Sequence, residues 1–407
     1  MKTHLIFAAA LFAAACQPSL DTGSPRSSHF VKTRYGDGEA VVIPTERPSI
    51  DTTICFCAVD FPQGYDWKKD SACGNSSATL RIYRNFEPVA SFDTGESSCI
   101  GTDPDTHHWL NGNLYTEYNL YGQTVIARNG KELFRYDDRE FLKGLLEIDG
   151  DIWTLGQNCS GRGFSLRCNG DEVLKRTDGV IFGDLASWTH EGLYLDSGKI
   201  CFCYQRETVS TNNLYKVIDS KESLHTTRSQ TVHDMKISSG AVQIVQSTSE
   251  FTLYEKDYSV FQIGEKDIRT SDAWLCDRAG GVLVCIALKG EGEQEYLGWS
   301  KGNPGSIGRG EHIYLYPNSD GTMKYVTFGS GGMFLHDLQK GELASFEKPS
   351  VFSRSCLGFA GEDWFLAHNM KGNGGMPRIV YKNKSVPVQV NGYISALEVT
   401  VKEREEE

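Results

Sequence analysis

An all-β fold assembled from copies of one small antiparallel sheet is what this 407-residue sequence predicts. Three observations predict it: a tight turn recurs eight times between strand-like runs, its spacing is nearly constant, and helical periodicity is almost absent. No stretch keeps a 3.6-residue apolar pattern for a dozen residues.

The turns stand at Tyr83-Arg84-Asn85-Phe86, Ala127-Arg128-Asn129-Gly130, Arg167-Cys168-Asn169-Gly170, Val217-Ile218-Asp219-Ser220, Tyr254-Glu255-Lys256-Asp257, Trp299-Ser300-Lys301-Gly302, Leu338-Gln339-Lys340-Gly341 and Tyr381-Lys382-Asn383-Lys384. Asn-Gly, present outright in two copies, is the strongest short hairpin signal because both central residues of the turn need positive φ. Asn85 and Asn383 lie 298 residues apart, about 43 residues per interval, which is the length of a four-stranded propeller blade.

The remaining strands keep phase with the turns. Alternating runs precede most of them, as in Asn113-Leu114-Tyr115-Thr116-Glu117-Tyr118, Asp151-Ile152-Trp153-Thr154-Leu155 and Asp363-Trp364-Phe365-Leu366-Ala367. A short apolar run follows each hairpin, such as Leu145-Leu146-Glu147-Ile148 or His312-Ile313-Tyr314-Leu315. Each unit thus supplies four strands. Such a sheet alone leaves apolar faces in water, so neighbours must stack, and closing the ring protects the edges. The expected architecture is a β-propeller, of eight blades by the count of turns or seven if one unit is degenerate. The final run Tyr393-Ile394-Ser395-Ala396-Leu397-Glu398-Val399 has the phase of an innermost strand. The first unit's own first strand is weak around residues 41–43, so the final strand is expected to complete the first blade.

The composite unit reads Asp-Gly, apolar strand, loop, apolar strand, Asn-Gly, apolar strand. It resembles the uncharacterised β-propeller lipoproteins of Gram-negative bacteria, whose repeats carry a strand and then a Lys/Arg-Asn-Gly turn. The resemblance covers about residues 50–400 and is best at 148–175 and 110–136, while 192–220 departs most. It implies a fold and an envelope location, and brings no catalytic residues.

The N-terminus points the same way. Lys2 supplies a positive charge, residues 5–15 form an alanine-rich apolar run, and Cys16 follows. The run is too short to cross a bilayer, which takes about 20 apolar residues. Ala13-Ala14-Ala15 before Cys16 resembles the lipobox of bacterial lipoproteins, whose cysteine sulfur is acylated, although Ala13 stands where leucine is usual. Ordinary signal removal after Ala15, giving a secreted protein, is the alternative. Residues 1–15 read as the signal, 16–40 as a tether rich in turn formers, 41–401 as one propeller domain and 402–407 as an acidic tail. The expected location is the cell envelope, with the chain lipid-anchored to the outer membrane and either periplasmic or surface-exposed.

A net charge of -12 argues against nucleic-acid partners, which require a basic stripe. Twelve cysteines suit an exported chain. Cys55-Phe56-Cys57 and Cys201-Phe202-Cys203 place both sulfurs of each pair on one sheet face. They read first as small buried hydrophobes, then as disulfide partners (Cys159 with Cys168 across a hairpin being one pairing), and last as zinc ligands.

Nucleophile-elbow, zinc-protease and phosphate-loop motifs are absent, and no cofactor is expected. Ser319-Asp320-Gly321-Thr322 approaches a sialidase Asp box without its spacing or tryptophan. Asp103, Asp105, His107 and His108 fall within six residues and could hold a divalent cation; a solvated inter-blade loop is the favoured reading of them. The first unit carries an insertion over residues 60–71 and the fourth a shorter one over 205–213, both expected on one disc face. In the first, Tyr65 and Trp67 either stack on a sugar or protein partner or cover a blade edge. Trp109, Trp153, Trp188, Trp274 and Trp364 read as inter-blade core.

These observations favour a cell-envelope platform that binds a protein or glycan without catalysis. The contrasting expectation is a hydrolase or lyase acting on extracellular glycans or peptides, with acids and histidines gathered at the central channel. An assembly subunit, with an apolar patch on one disc face, is a third.

Overall fold

The structure, a computed structural model, describes residues 52–401 apart from 68–77, 94–103, 121, 186–189, 248–249, 256–257, 265–271, 279–280, 289–293, 300–304, 318–322, 371–375 and 383. The signal, Cys16 and the tether, Asp103, Trp188 and the acidic tail therefore lie outside the described residues.

Among the described residues the strands form eight antiparallel sheets, seven of four strands and one of five. Sheet 1 holds Thr52–Asp60, Thr79–Arg84 and Glu87–Asp93, with the C-terminal Gly392–Val401 as its first strand. Sheets 2 to 8 follow in chain order over 107–136, 140–176, 180–228, 231–264, 272–310, 312–346 and 357–387. All eight turns read from the sequence connect a third strand to a fourth. The final strand pairs with Thr52–Asp60 over its whole length, Cys55 opposite Glu398 and Phe56 opposite Leu397, so one sheet joins the two ends of the chain.

The turn asparagines do more than tolerate positive φ. Asn129 (φ 49°) accepts the Leu114 N–H on its side-chain oxygen at 2.9 Å while its own N–H bonds to the Leu114 carbonyl at 2.8 Å. Asn169 does the same to Ile152, Asn85 to Ile54 and, with a carboxylate, Asp219 to Ile200. Each clasp ties the outer hairpin to the second strand. Sheet 7 keeps only the main-chain half, Leu338 N–H to Met323, because leucine has no acceptor to offer.

Apolar packing passes from every sheet to the next and returns to the start. Leu80 and Cys57 of sheet 1 meet Leu114 of sheet 2, and Tyr115 and Ile126 meet Leu145 and Ile152 of sheet 3. Phe164 and Leu166 meet Phe202 and Tyr204 of sheet 4, and Cys201 and Cys203 meet Met235 of sheet 5. The first strands of sheets 5 and 6 touch, Cys276 and Tyr296 of sheet 6 meet Ile313 of sheet 7, and Val326 and Leu335 meet Leu366 of sheet 8. Ile379 and Phe365 of sheet 8 then meet Ile54 and Ile394 of sheet 1. A closed circuit of stacked four-stranded sheets is a β-propeller. Trp109, Trp153, Trp274 and Trp364 all pack between sheets.

Polar bonds run the same circuit. Asn369 grips Ile394 across sheets 8 and 1, His107 Nδ1 meets Ser395 Oγ at 2.6 Å across 1 and 2, and Glu117 accepts the Leu142 N–H across 2 and 3. Gln157 accepts the Ile181 N–H, and Asp196 accepts the Ser239 and Gly240 N–H groups. Asp234 accepts the Leu275 N–H, Tyr296 donates to the Glu311 carbonyl and Tyr316 to that of Arg354. Buried polar groups must be paired, and here the pairing joins neighbouring sheets.

Two details depart from expectation. The first strand of sheet 4 is split into Val180–Ile181 and Tyr194–Asp196, so this unit's larger insertion lies inside that strand and the 205–213 segment contributes only a loop over 208–211. Cys159 and Cys168 are both unbridged. Cys168 stands opposite Trp153, and Cys159 follows Asn158 at the other end of the same strand. At about 3.3 Å per residue the two sulfurs are far beyond bonding reach. The paired Cys-Phe-Cys cysteines are buried, and burial pushes the Cys57 and Cys203 thiols up to about 12.

Candidate functional site

Strands alternate in direction, so connections from first to second and from third to fourth strand share one disc face, and the others share the opposite face. On the first face nearly all connections are two-residue turns, such as 111–112, 129–130, 149–150, 169–170 and 239–240. The longest connections between one full strand and the next, 61–78, 94–106, 347–356 and 369–377, belong to the second face and to the consecutive sheets 7, 8, 1 and 2, whereas the 182–193 insertion of sheet 4 interrupts a first strand. The described parts of these connections, mainly 61–67, 104–106, 347–356 and 369–370, thus belong to one sector of one face, beside the joint of the chain ends.

Side chains knit this sector together. Asn391 donates its amide to the carbonyls of Pro62 at 2.8 Å and Tyr65 at 3.2 Å, and its N–H bonds to Asp60 Oδ1 at 2.8 Å. Asn369 Nδ2 donates to the Val351 carbonyl at 3.0 Å, and Ser353 Oγ to that of Ser395 at 3.3 Å. Above sheet 1 four aromatic rings meet: Phe61 lies 5.2 Å from Tyr65 and 6.4 Å from Trp67, and Trp67 lies 5.2 Å from Tyr393. Phe61 and Tyr393 are buried, whereas Tyr65 and Trp67 are half-buried. Tyr65 and Trp67 therefore cover the edge of sheet 1 and keep part of each side chain in solvent.

Of the four residues read as cation ligands, Asp103 lies outside the described residues, and the other three are not drawn together. Asp105 is exposed in the 3-10 turn Pro104–Thr106, while His107 and His108 open the strand His107–Leu110, where successive side chains point to opposite faces. Burial, and then the neighbouring His107, hold His108 down at about 3. The charge of Asp105 adds instead to the burial that raises Tyr314 and Cys356. Among the described residues no group of three His, Cys, Asp or Glu side chains could hold a metal ion.

A second polar cluster, unseen in the sequence, follows from the split strand of sheet 4. His190 Nε2 lies 2.9 and 3.0 Å from the two oxygens of Asp234, and Nδ1 lies 2.8 Å from the Glu191 carbonyl. Asp234 also accepts the Met235 and Leu275 N–H groups, each at 2.8 Å. Lys236 Nζ sits 3.5 Å above the Tyr194 ring, whose hydroxyl accepts the Ile237 N–H. All are buried. A carboxylate has about four acceptor directions, and these donors occupy those of Asp234, so the cluster fastens three sheets. Glu140 and Arg167, bidentate at 2.6 and 3.0 Å, are likewise buried within sheet 3, and the Glu140 carboxylate occupies the space a Cβ on Gly156 would need. The signal for the insertion was length alone: 180–228 is longer than the other units, with Gly183 and Gly192 near its limits.

No protein-family model matches the chain, and no curated protein matches it. Among solved structures it is similar to the computationally designed Ika8 protein, at 11% identity over 80% of this chain and 96% of that one, TM-score 0.47. It is similar to dihydro-heme d1 dehydrogenase NirN in complex with DHE, at 13% identity over 88% and 77%, TM-score 0.45. It is also similar to the WD40 β-propeller domain of Doa1, at 11% identity over 67% and 89%, TM-score 0.38. At these identities the likenesses bear on no activity.

Proposed function

We propose that the chain is an envelope lipoprotein whose eight sheets are the blades of one ring, and that the sector of its loop face beside the joined chain ends is a non-catalytic platform for a protein or glycan ligand. The asymmetry of the two faces carries the reading: the longest strand-to-strand connections belong to one face of the sheets beside the chain's joint, and Tyr65 and Trp67 stand half-buried in the described part of the first of them. Rigid elements carrying ordered loops are the usual setting of recognition, and aromatic rings offer large contact area at small entropic cost. The platform is favoured over a hydrolase because the clustered acid, imidazole and guanidinium groups described, Asp234, His190, Glu140 and Arg167, are buried in sheet-to-sheet or strand-to-strand bonds.

Anchoring through an acylated Cys16 is supported by the alanine-rich run before it. No helix among the described residues is long and apolar enough to cross a membrane. The test is a glycan and envelope-protein binding array probed with wild type and with the Tyr65→Ala/Trp67→Ala double variant. A ligand retained by wild type and lost by the folded double variant supports the assignment. Equal retention by both refutes it.

A further inference from the structure

We propose that Asn111 is a site of spontaneous covalent modification, at which Glu398 takes the proton of the Gly112 N–H and that nitrogen attacks the Asn111 side-chain amide. Four Asn-Gly steps lie among the described residues, at 111–112, 129–130, 169–170 and 391–392. Glycine has no Cβ to shield the following nitrogen, so such steps are where a main chain cyclises onto a side-chain amide.

Turn geometry does not separate the sites, since Asn111, Asn129 and Asn169 have φ of 51°, 49° and 51°. Their side-chain bonds do. Asn129 accepts Leu114 N–H at 2.9 Å and donates to Asn113 Oδ1 at 2.8 Å; Asn169 accepts Ile152 N–H at 2.9 Å and donates to Asp151 Oδ1 at 2.7 Å. Asn391 is held by the Pro62 and Tyr65 carbonyls. Asn111 is exposed, and its side-chain bond, Nδ2 to Glu147 Oε2, is 3.4 Å long, beyond the usual range.

The nucleophile is equally distinct. Gly112 N donates to Glu398 Oε2 at 2.9 Å, and nothing crowds Gly112. Burial raises the Glu398 carboxyl, making its anion a stronger base than a surface glutamate. In the step, the N–H proton passes to Glu398, the Gly112 N–Asn111 Cγ bond forms, and the Cγ–Nδ2 bond breaks as ammonia leaves with a proton returned by Glu398. Water then opens the cyclic imide to aspartate or isoaspartate. The Glu398–Gly112 bond joins the C-terminal strand of sheet 1 to the first turn of sheet 2. Isoaspartate there adds a methylene to the main chain and sets a new carboxylate close to Glu147 and Glu398. The modification therefore loosens the ring where its ends meet.

The test is incubation of the full-length protein in mildly alkaline buffer, followed by peptide mass spectrometry that separates isoaspartate from aspartate. In the folded protein, Asn111 is expected to convert at least about tenfold faster than Asn129 or Asn169, the factor that one or two extra hydrogen bonds supply. In urea the three should convert at similar rates. Glu398→Gln keeps an acceptor for Gly112 and should slow the folded reaction at Asn111 without changing the rate in urea. Equal conversion of a clasped asparagine in the folded protein, or a wild-type rate in Glu398→Gln, would overturn the proposal.

Discussion

The side-chain amide of Asn369 acts toward Ile394 as a length of main chain: Oδ1 accepts the Ile394 N–H at 2.8 Å and Nδ2 donates to its carbonyl at 2.9 Å. The pair is a ladder rung made by a side chain, and it spans sheets 8 and 1 in a fully buried position. The turn asparagines use the same chemistry within a sheet.

Asn369→Ala leaves the Ile394 N–H buried without its acceptor. An orphaned buried group costs about 1–3 kcal/mol, so the urea midpoint should fall clearly while the spectroscopic signature of β-structure is kept. A midpoint equal to wild type would show that the rung contributes nothing.

Two turn glycines give forecasts of different size despite similar backbones. Gly130 has φ 78° and a Cβ there would lie 2.3 Å from Phe92 of sheet 1, whereas Gly112 has φ 73° and open space. Gly112→Ala should cost about 1–2 kcal/mol for its left-handed conformation alone. Gly130→Ala should cost a further 1–3 kcal/mol or so from overpacking. Comparison of the two denaturation curves checks the order.

His108 sets a pH dependence whose sign follows from its burial. Its folded value of about 3 lies below the unfolded 6.5, so the unfolded chain takes up the proton first. Its contribution is complete above pH 6.5 and is lost as pH falls toward 3, at up to about 1.4 kcal/mol per unit. His108→Leu should flatten the stability curve in that window relative to wild type, measured by urea midpoints at stepped pH.

Asn391→Ala removes the amide that holds the Pro62 and Tyr65 carbonyls. Limited proteolysis should then cut the 61–67 segment several times faster than in wild type, with the rest of the chain still resistant. An unchanged cleavage pattern would mean that the aromatic contacts alone order the segment.

Cys16→Ser tests the anchor. Wild type expressed in a Gram-negative host should take up labelled fatty acid and enter the detergent phase, and the variant should do neither. Wild type that stays in the aqueous phase would make the chain a simple secreted protein.

The fold was legible because a tight turn is a local event. Asn129-Gly130 and Asn169-Gly170 advertise positive φ in the sequence itself, and even the weaker Lys382-Asn383 turn falls at the same junction. The clasp of Asn129 on Leu114 was hidden, since its partner is fifteen residues away in sequence. The site was less legible for the same reason. Tyr65 and Trp67 stood out as aromatics in an insertion, but Asn391, which orders them, bonds to residues more than three hundred positions earlier. His107 and His108 looked like a pair of ligands because they are adjacent, and adjacency in a strand sends them apart.

The pairing of Thr52–Asp60 with Gly392–Val401 also orders events in time. Seven sheets can take shape as each leaves the ribosome or an export pore, but the one that begins first must wait for the last ten residues of the strand that completes it. Until then the nascent chain carries a row of unsatisfied main-chain groups at its leading end, open to any stray strand. A stop before Gly392 would strand that edge permanently, so loss of the final strand should send the product to aggregation or proteolysis rather than to a slightly smaller disc.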